Sequence, residues 1–250
     1  MKRTLDRVIS QAGVGSRTEA RQWIASGRVA VNGDVIKAHD HWVDPGRDRV
    51  TLDSKPVVRQ ERVYVLLYKP KGYVSTYKDP DGRPTVYHLI PEIGQFVGTV
   101  GRLDLDTSGL LLLSNDHGMA DRITDPVSHV DKEYLIKAAH VLTDAQLDQL
   151  RQGVTLDDGL TRPARVERLR DSEKYTHFTM VLTEGRNRQV RRMVEAIGSH
   201  VLKLVRTRIG PLTLEGLTIG GYRHLTPAEV RSLEQLSGAA GAPKRVRPSQ

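Results

Sequence analysis

The stretch that decides the fold reads Gly98-Thr-Val-Gly101-Arg102-Leu103-Asp104-Leu-Asp106-Thr-Ser-Gly109-Leu-Leu-Leu-Leu113-Ser-Asn115-Asp116. Its first half is a glycine-bounded turn holding an arginine and two carboxylates. Its second half is a run of leucines closed by Ser-Asn-Asp. An uninterrupted apolar run bounded by turn residues predicts a short buried strand. A turn anchored on such a strand can hold one acid in one geometry. Acidic turns are common and active sites few, so the same residues also fit a plain surface loop in which Arg102 pairs with Asp106. The rest of the chain decides between the two.

A chain of 250 residues suits one large domain or two smaller ones. Aromatic residues make up only 5%, so the core must be built from Leu, Val, Ile and Ala. The formal net charge is +8 and arginine outnumbers lysine. Guanidinium forks match phosphate geometry, so this excess favours a nucleic-acid partner. A basic membrane-surface protein is the competing explanation, but there is no long amphipathic basic helix and no apolar stretch near the roughly 18 residues of a membrane span. The chain has no cysteine, which excludes disulfides and thiolate metal sites and fits a reducing compartment. Its first residues run straight into periodic sequence without the apolar core of a signal peptide. The expectation is a soluble cytoplasmic protein, monomeric, without membrane contact, that binds polyanions.

Upstream of the central stretch, Leu5, Val8, Ile9 and Ala12 recur at helical spacing and Gly13 stops the helix. Ser16-Arg-Thr-Glu19 is a capping box that opens a second helix ending at Gly27. Val29-Ala-Val31 enters an Asn32-Gly33 turn, a strong hairpin signal, and Val50-Thr-Leu52 is a further strand. Two helices and a hairpin thus form a small module over 1–58, with Arg3, Arg7, Arg17, Arg21 and Arg28 near the helices' exposed faces. Charge runs are usually solvated surface, and spacing alone does not exclude that here. Residues 54–61 are polar, contain Pro56 and read as a linker.

The second domain spans 62–236. Val63 to Tyr68 is an apolar strand and Lys69-Pro-Lys-Gly72 a turn; Asp79 to Pro84 is an exposed loop. Met119 to Thr124 predicts a short helix broken by Asp125-Pro126. Lys132 to Ala138 alternates as a strand with Tyr134 and Ile136 on one face. Thr143 to Gln146 caps a helix, and His177 to Leu182 is another strand. Val190, Met193, Val194 and Ile197 form the buried stripe of a helix ended by Gly198. That stripe leaves Arg188 and Arg192 off it and Arg191 at its edge, and together with Arg186 these arginines repel one another unless something anionic sits there. Further strands lie at Val201–Val205 and Leu212–Leu214, and Thr226-Pro-Ala-Glu229 caps a last helix. Strands outnumber helices without strict alternation, which predicts an α+β fold with a mostly antiparallel mixed sheet. Residues 237–250 are expected to be a basic disordered tail.

The chemistry narrows by elimination. The nine histidines are scattered with no His-x-x-x-His pair, so no metal site is expected. Gly98-Thr-Val-Gly101 lacks the Gly-Lys-Ser/Thr of a phosphate-binding loop. Asp104-Leu-Asp106-Thr approximates the signature of aspartyl-phosphate enzymes, but there the apolar strand precedes the first Asp, and here it follows. What remains is an acid in a shaped turn, an aromatic hydroxyl on a strand and an arginine-rich helix start. A non-catalytic RNA-binding protein, with Asp104 merely holding Arg102 or Arg191, fits the same residues.

Two resemblances bear on that choice. "LDRVISQAGVGSRTEARQWIASGRVAVNGDVI" resembles the small RNA-binding domain named after ribosomal protein S-four, which implies contact with folded RNA through phosphates. "GRLDLDTSGLLLLSND", "DKEYLIKA", "EGRNRQVRRMVEAIG" and "LVRTRIGPLTLEGL" resemble, in that order, the ribosomal RNA pseudouridine synthases that carry such a domain. "LLYKPKGYVST" and "DPDGRPTVYHLI" look most like the members acting on large-subunit RNA. The departure is His117, directly after Asn-Asp where the family has Gly, which would add a residue to a turn. The resemblance implies an isomerase needing no cofactor, with ribosomal RNA as partner. It implies Asp104 as the catalytic aspartate, Tyr134 stacking on the target uracil, Arg191 pairing with the aspartate and Arg102 helping to flip the base. It also places Lys132, Arg186 and Arg188 with the basic residues of the N-terminal module in contact with RNA. Asp106 would be a turn or RNA-loop contact.

Overall fold

The computed structural model describes residues 2–58 and 60–239. In the N-terminal module, α1 (Leu5–Gln11) and α2 (Arg17–Ala25) pack on a four-stranded sheet whose central strands are β1 (Val29–Val31) and β2 (Val50–Leu52). The predicted capping box is present: the Ser16 hydroxyl accepts from the Glu19 amide while the Glu19 carboxylate accepts from the Ser16 amide. Leu5, Ile9, Ala20, Ile24, Val29 and Val43 fill the small core. The predicted linker is partly strand, because Lys55–Pro56 pairs antiparallel with β2. Pro56 is tolerated on that edge, where a missing N–H costs no ladder bond.

The module is tied to the rest of the chain. The Gln60 amide donates to the Ala12 carbonyl at 3.1 Å, the Phe96 amide to the Gly13 carbonyl at 3.2 Å, and the Tyr77 hydroxyl to Glu19 at 3.3 Å. Tyr77 also packs edge-on against Tyr87 and Phe96.

The second domain is organised by one nine-stranded sheet. Its strands are β3 (Tyr64–Lys69), β4 (Gly98–Val100), β5 (Ser108–Ser114), β6 (Lys132–Ala139), β7 (Arg165–Asp171), β8 (Tyr175–Leu182), β9 (Val201–Ile209), β10 (Leu212–Thr213) and β11 (Tyr222–His224). They run in the order β7-β8-β6-β9-β5-β3-β11, with β4 added to β5 and β10 to β9. Pairings are antiparallel except β5 with β9, which join in parallel at Ser108↔Val205 and Gly109↔Arg206. The α+β expectation therefore holds. The helices are α3 (His117–Thr124), α4 (Asp144–Gln152), α5 (Gln189–Ala196) and α6 (Pro227–Ala239).

The leucine run is β5, and Leu110, Leu111, Leu112 and Leu113 each have no exposed surface. Leu110 and Leu112 pack with Tyr64, Met119, Ile123 and Leu233, so α3 and α6 cover that face. Leu111 and Leu113 pack on Val65, Val86, Val97 and Leu103 on the other. Each buried leucine contributes on the order of 1.5–3 kcal/mol, so β5 is a rigid base for whatever precedes it. His117 is the first residue of α3, directly after the Asp116 N-cap, and so does not lengthen a turn. Helix α6 reaches Ala239, which makes residues 237–239 helical where the sequence predicts tail. The rest of that predicted tail lies outside the described residues.

Candidate active site

The turn before β5 is held almost atom by atom. Its ends are closed by the Thr107 amide donating to the Asp104 carbonyl at 3.1 Å. Ser75 Oγ bonds both the carbonyl and the amide of Leu103, at 2.8 and 3.1 Å. The Gly72 amide donates to the Leu105 carbonyl at 2.8 Å. Arg191 donates to the Asp106 carbonyl at 3.1 Å. Lys69, at the end of β3, donates to the carbonyls of both Asp104 and Thr107, at 3.0 and 2.8 Å. Each carbonyl from Leu103 to Thr107 thus has a partner outside its own strand, and the carboxylates above cannot drift with the backbone.

Asp104 faces a cavity of about 330 Å³ that Arg102, Lys132, Tyr134, Arg188, Arg191 and Arg206 also line. Its side chain is 37% exposed, open enough to meet a ligand. Tyr134 and Arg206 are cross-strand partners on β6 and β9, and Arg206 is in turn the neighbour of Gly109 on β5. Three adjacent strands thereby bring the acid-bearing turn, the aromatic ring and a buried guanidinium to one place. Arg206 is itself tied down by Nε donating to the Leu110 carbonyl at 2.8 Å.

The ion pairs differ from those the resemblance implies. Arg191 pairs with Asp106, at 3.1 Å, rather than with Asp104. The cation closest to Asp104 is Arg188, at 3.8 Å, which also meets Asp106 at 3.3 Å. The cause is backbone geometry: Arg188 is the N-cap of α5 and sits in the left-handed region at φ 46°, which turns it toward the carboxylates. Such a conformation in a side-chain-bearing residue costs of order 1–3 kcal/mol and is held only where its surroundings demand it. Arg191, expected at the edge of the helix's buried stripe, is itself buried and also donates to the Val201 carbonyl at 3.3 Å.

The other expected RNA contacts differ in their surroundings. Arg102 and Arg7 are exposed, and Arg7 lines a groove between the module and α3. Arg17 and Arg21 instead converge on Asp6, at 2.9 and 2.8 Å, Arg28 on Asp53 at 2.5 Å, and Arg3 on Gln11, so part of each fork is engaged within the module. Arg186 lines the cavity, with its guanidinium donating to the carbonyls of Gly159 and Leu160 at 2.9 and 2.6 Å. Lys132 is not a surface contact: it lies part-buried in the cavity, bonded to the Val130 carbonyl at 3.1 Å. Burial, then the nearby Arg206, lower its proton affinity, against the pull of Asp131.

Sequence reasoning missed Lys69 and Arg206. Both are almost wholly enclosed, at 0% and 4% exposure, beneath the turn and the cavity. The only signal for Lys69 was a cation directly ahead of a Pro-Lys-Gly turn, which reads as exposed.

A hydrogen-bonded turn carrying an acid, an aromatic ring and a wall of guanidinium groups, beside a small basic module, is an arrangement suited to an enzyme that works on RNA bases. The chain belongs to the RNA pseudouridylate synthase family, whose model matches residues 63–196, and an S4 domain matches residues 3–46. It is 43% identical over 93% of its length to the ribosomal large subunit pseudouridine synthase B of Bacillus subtilis, covering 96% of that protein. It is 37% identical over 99% of its length to an uncharacterized RNA pseudouridine synthase of Aquifex aeolicus, covering all of it. A crystal structure of a pseudouridylate synthase aligns with a TM-score of 0.66 over 92% of this chain and 99% of the other, at 32% identity.

Proposed function

We propose that the chain isomerises uridine to pseudouridine in large-subunit ribosomal RNA, with Asp104 as the reacting carboxylate. The observation that carries this reading is the placement of Asp104: a part-exposed acid on an immobilised turn, in a cavity shared with Tyr134. The likeness to the B. subtilis synthase over nearly the whole of both chains supports the choice of RNA.

The residues fit the steps. The target base leaves its stack at a cost of a few kcal/mol, and stacking on the Tyr134 ring, about 1–3 kcal/mol, offsets much of it. Arg102, exposed at the cavity rim, takes the place of the departed base or steadies its phosphate. Asp104 then adds to the sugar or withdraws a proton from it while the bond from C1′ to N1 breaks. The base turns, C5 joins C1′, and the hydrogen on C5 leaves as a proton while N1 gains one. The reaction is an isomerisation with no net redox change, so the chain's own side chains suffice. Arg188 and Arg191 hold the two carboxylates of the turn through ion pairs, Arg188 with both and Arg191 with Asp106. The basic face of the N-terminal module holds the surrounding RNA through phosphates.

The test is modification of purified large- and small-subunit ribosomal RNA by the isolated protein, with pseudouridines mapped at nucleotide resolution. A new pseudouridine confined to large-subunit RNA is expected. Modification of small-subunit RNA alone would overturn the substrate assignment.

A further inference from the structure

We propose that the open sheet face formed by β7, β8, β6 and β9 is a second RNA-binding surface, which takes the phosphate backbone of folded ribosomal RNA away from the target uridine. The proposal rests on the chain acting on ribosomal RNA.

Burial along β8 alternates without a break. Thr176, Phe178, Met180 and Leu182 are buried, whereas Tyr175, His177, Thr179 and Val181 are half-exposed. The buried apolar set packs under α4 and α5 with Leu147, Leu150, Val190 and Val194. Tyr134 and Ile136 of β6 lie on that covered face, so Leu135 and Lys137 point the other way. The cavity that holds Tyr134 and this open face are therefore on opposite sides of β6.

Four adjacent strands bring four basic side chains into one row on the open face. Arg170 is the partner of His177, His177 of Lys137, and Lys137 of Lys203. With strands about 4.8 Å apart, the row is about 14 Å long. Like charges directly opposite one another destabilise a sheet, and Lys137 with Lys203 is such a pair. The same two strands make the opposite choice at their other end, where Glu133 faces Arg208 and pairs with it at 3.2 Å. Among the described residues, no carboxylate comes within 4.0 Å of Arg170, Lys137 or Lys203. Asp171 is held by Arg168 and by the buried Thr176, each at 2.7 Å, and Glu167 faces Thr179 further along the strand. Burial, then Arg170 and Lys137, lower the proton affinity of His177 against the pull of Asp171, and Lys203 adds to the lowering. The row repels a further positive charge, and an anion laid along it relieves that repulsion.

The chemistry selects phosphates over bases. Unpaired bases are bound by stacking on open aromatic rings. The ring beside the row, Tyr175, has the Lys137 ammonium 3.8 Å from its centroid, so that face of the ring is taken. Guanidinium and ammonium groups spread over a broad sheet suit the backbone of paired RNA, which is recognised by shape and phosphate contacts. A short RNA seated in the catalytic cavity lies across β6 from the row, so only a long folded RNA meets both.

The test measures binding of two RNAs by the full chain: large-subunit ribosomal RNA, and a short hairpin cut from it around the mapped uridine. Arg170→Gln/Lys203→Gln changes two exposed side chains. It should weaken binding of the long RNA about tenfold at about 0.1 M salt and reduce the slope of log K against log salt by about 2, one for each lost contact. Affinity for the hairpin should stay within about twofold, because the hairpin does not reach the row. Lys203→Glu sets a carboxylate opposite Lys137, so it should weaken binding of the long RNA while raising the urea midpoint of the free protein. Long-RNA affinity within about twofold of wild type in both variants would overturn the proposal and leave the row to an acidic protein partner. Equal losses on the two RNAs would also overturn it, as would a Lys203→Glu midpoint below that of wild type. Asp104→Asn run in parallel keeps the two claims apart, since it should bind both RNAs and modify neither. Failure of wild type to modify ribosomal RNA removes the functional reading, whereas modification together with unaltered binding by the row variants removes only the row.

Discussion

Gly109 is where the active-site turn is welded to the sheet, and Gly109→Ala tests that join. Gly109 has φ +119°, and a Cβ built on it would lie 2.3 Å from the Arg206 carbonyl oxygen and 2.4 Å from the Arg206 nitrogen. Ordinary contact begins at 3.4 Å, so the methyl must displace backbone by about 1 Å. Neither side can yield cheaply, because β5 is covered on both faces and β9 is paired on both edges. Overpacking of this kind costs about 1–3 kcal/mol, and holding alanine at such a φ a further 1–3 kcal/mol or so. The expected loss is about 2–6 kcal/mol, a large share of the roughly 5–15 kcal/mol that holds a protein folded. Urea unfolding followed by circular dichroism measures it, with an unchanged m-value showing that stability alone has moved. Gly94→Ala is the control. It has φ +71° with nothing within 4 Å of the added carbon, so it pays only conformational strain, about 1–2 kcal/mol. A Gly109→Ala protein within 0.5 kcal/mol or so of wild type, or no less stable than Gly94→Ala, would refute the reasoning.

Asp106 and Asp104 should separate in kinetics. Asp106→Asn removes the partner of Arg188 and Arg191 but not the reacting acid, so single-turnover rates should fall about tenfold without vanishing; complete loss would give Asp106 a direct part in the chemistry. In the N-terminal module, burial raises the Asp6 carboxyl, but hydrogen bonds from Thr4, Arg21 and Arg17 outweigh it and hold it at about 2. Its folded value lies below the ordinary 3.8, so its stabilisation is present above about pH 4 and is lost as pH falls towards 2. Amide exchange in the module should then show Asp6→Asn less protected than wild type at neutral pH by about 1–2 kcal/mol, the low end because both arginines are half exposed. The two proteins should converge near pH 2, and a gap independent of pH would contradict the assignment. Arg7→Gln should lower RNA affinity and reduce the slope of log K against log salt by about 1, the value for one lost phosphate contact; an unchanged slope would remove Arg7 from the RNA interface.

The parts of the fold legible in the sequence are those fixed by local chemistry. The leucine run, the Ser16–Glu19 capping box, the Asn32-Gly33 hairpin and the stripe Val190, Met193, Val194 and Ile197 each declare themselves within a few residues. Strand β7, Arg165-Val-Glu-Arg-Leu-Arg-Asp171, did not, because it is a sheet edge largely open to water and carries charge where a buried strand carries apolar residues. Of the site, Asp104, Tyr134 and the arginine-rich helix start were visible as residues of the right type. Which arginine meets which carboxylate was not, because that depends on the left-handed backbone at Arg188. Lys69 was hidden for a related reason. Its burial is compensated by carbonyls from another part of the chain, and nothing in Lys-Pro-Lys-Gly marks the first lysine as interior.

The claim on which the rest depends is that Asp104 performs the chemistry at the cavity it shares with Tyr134. Release of tritium from uracil C5 in large-subunit ribosomal RNA tests it directly, comparing wild type with Asp104→Asn at matched RNA occupancy. Wild type should release about one equivalent per target site, while Asp104→Asn should bind the RNA within about threefold of wild type and release none. Release by Asp104→Asn at a rate near that of wild type would contradict it.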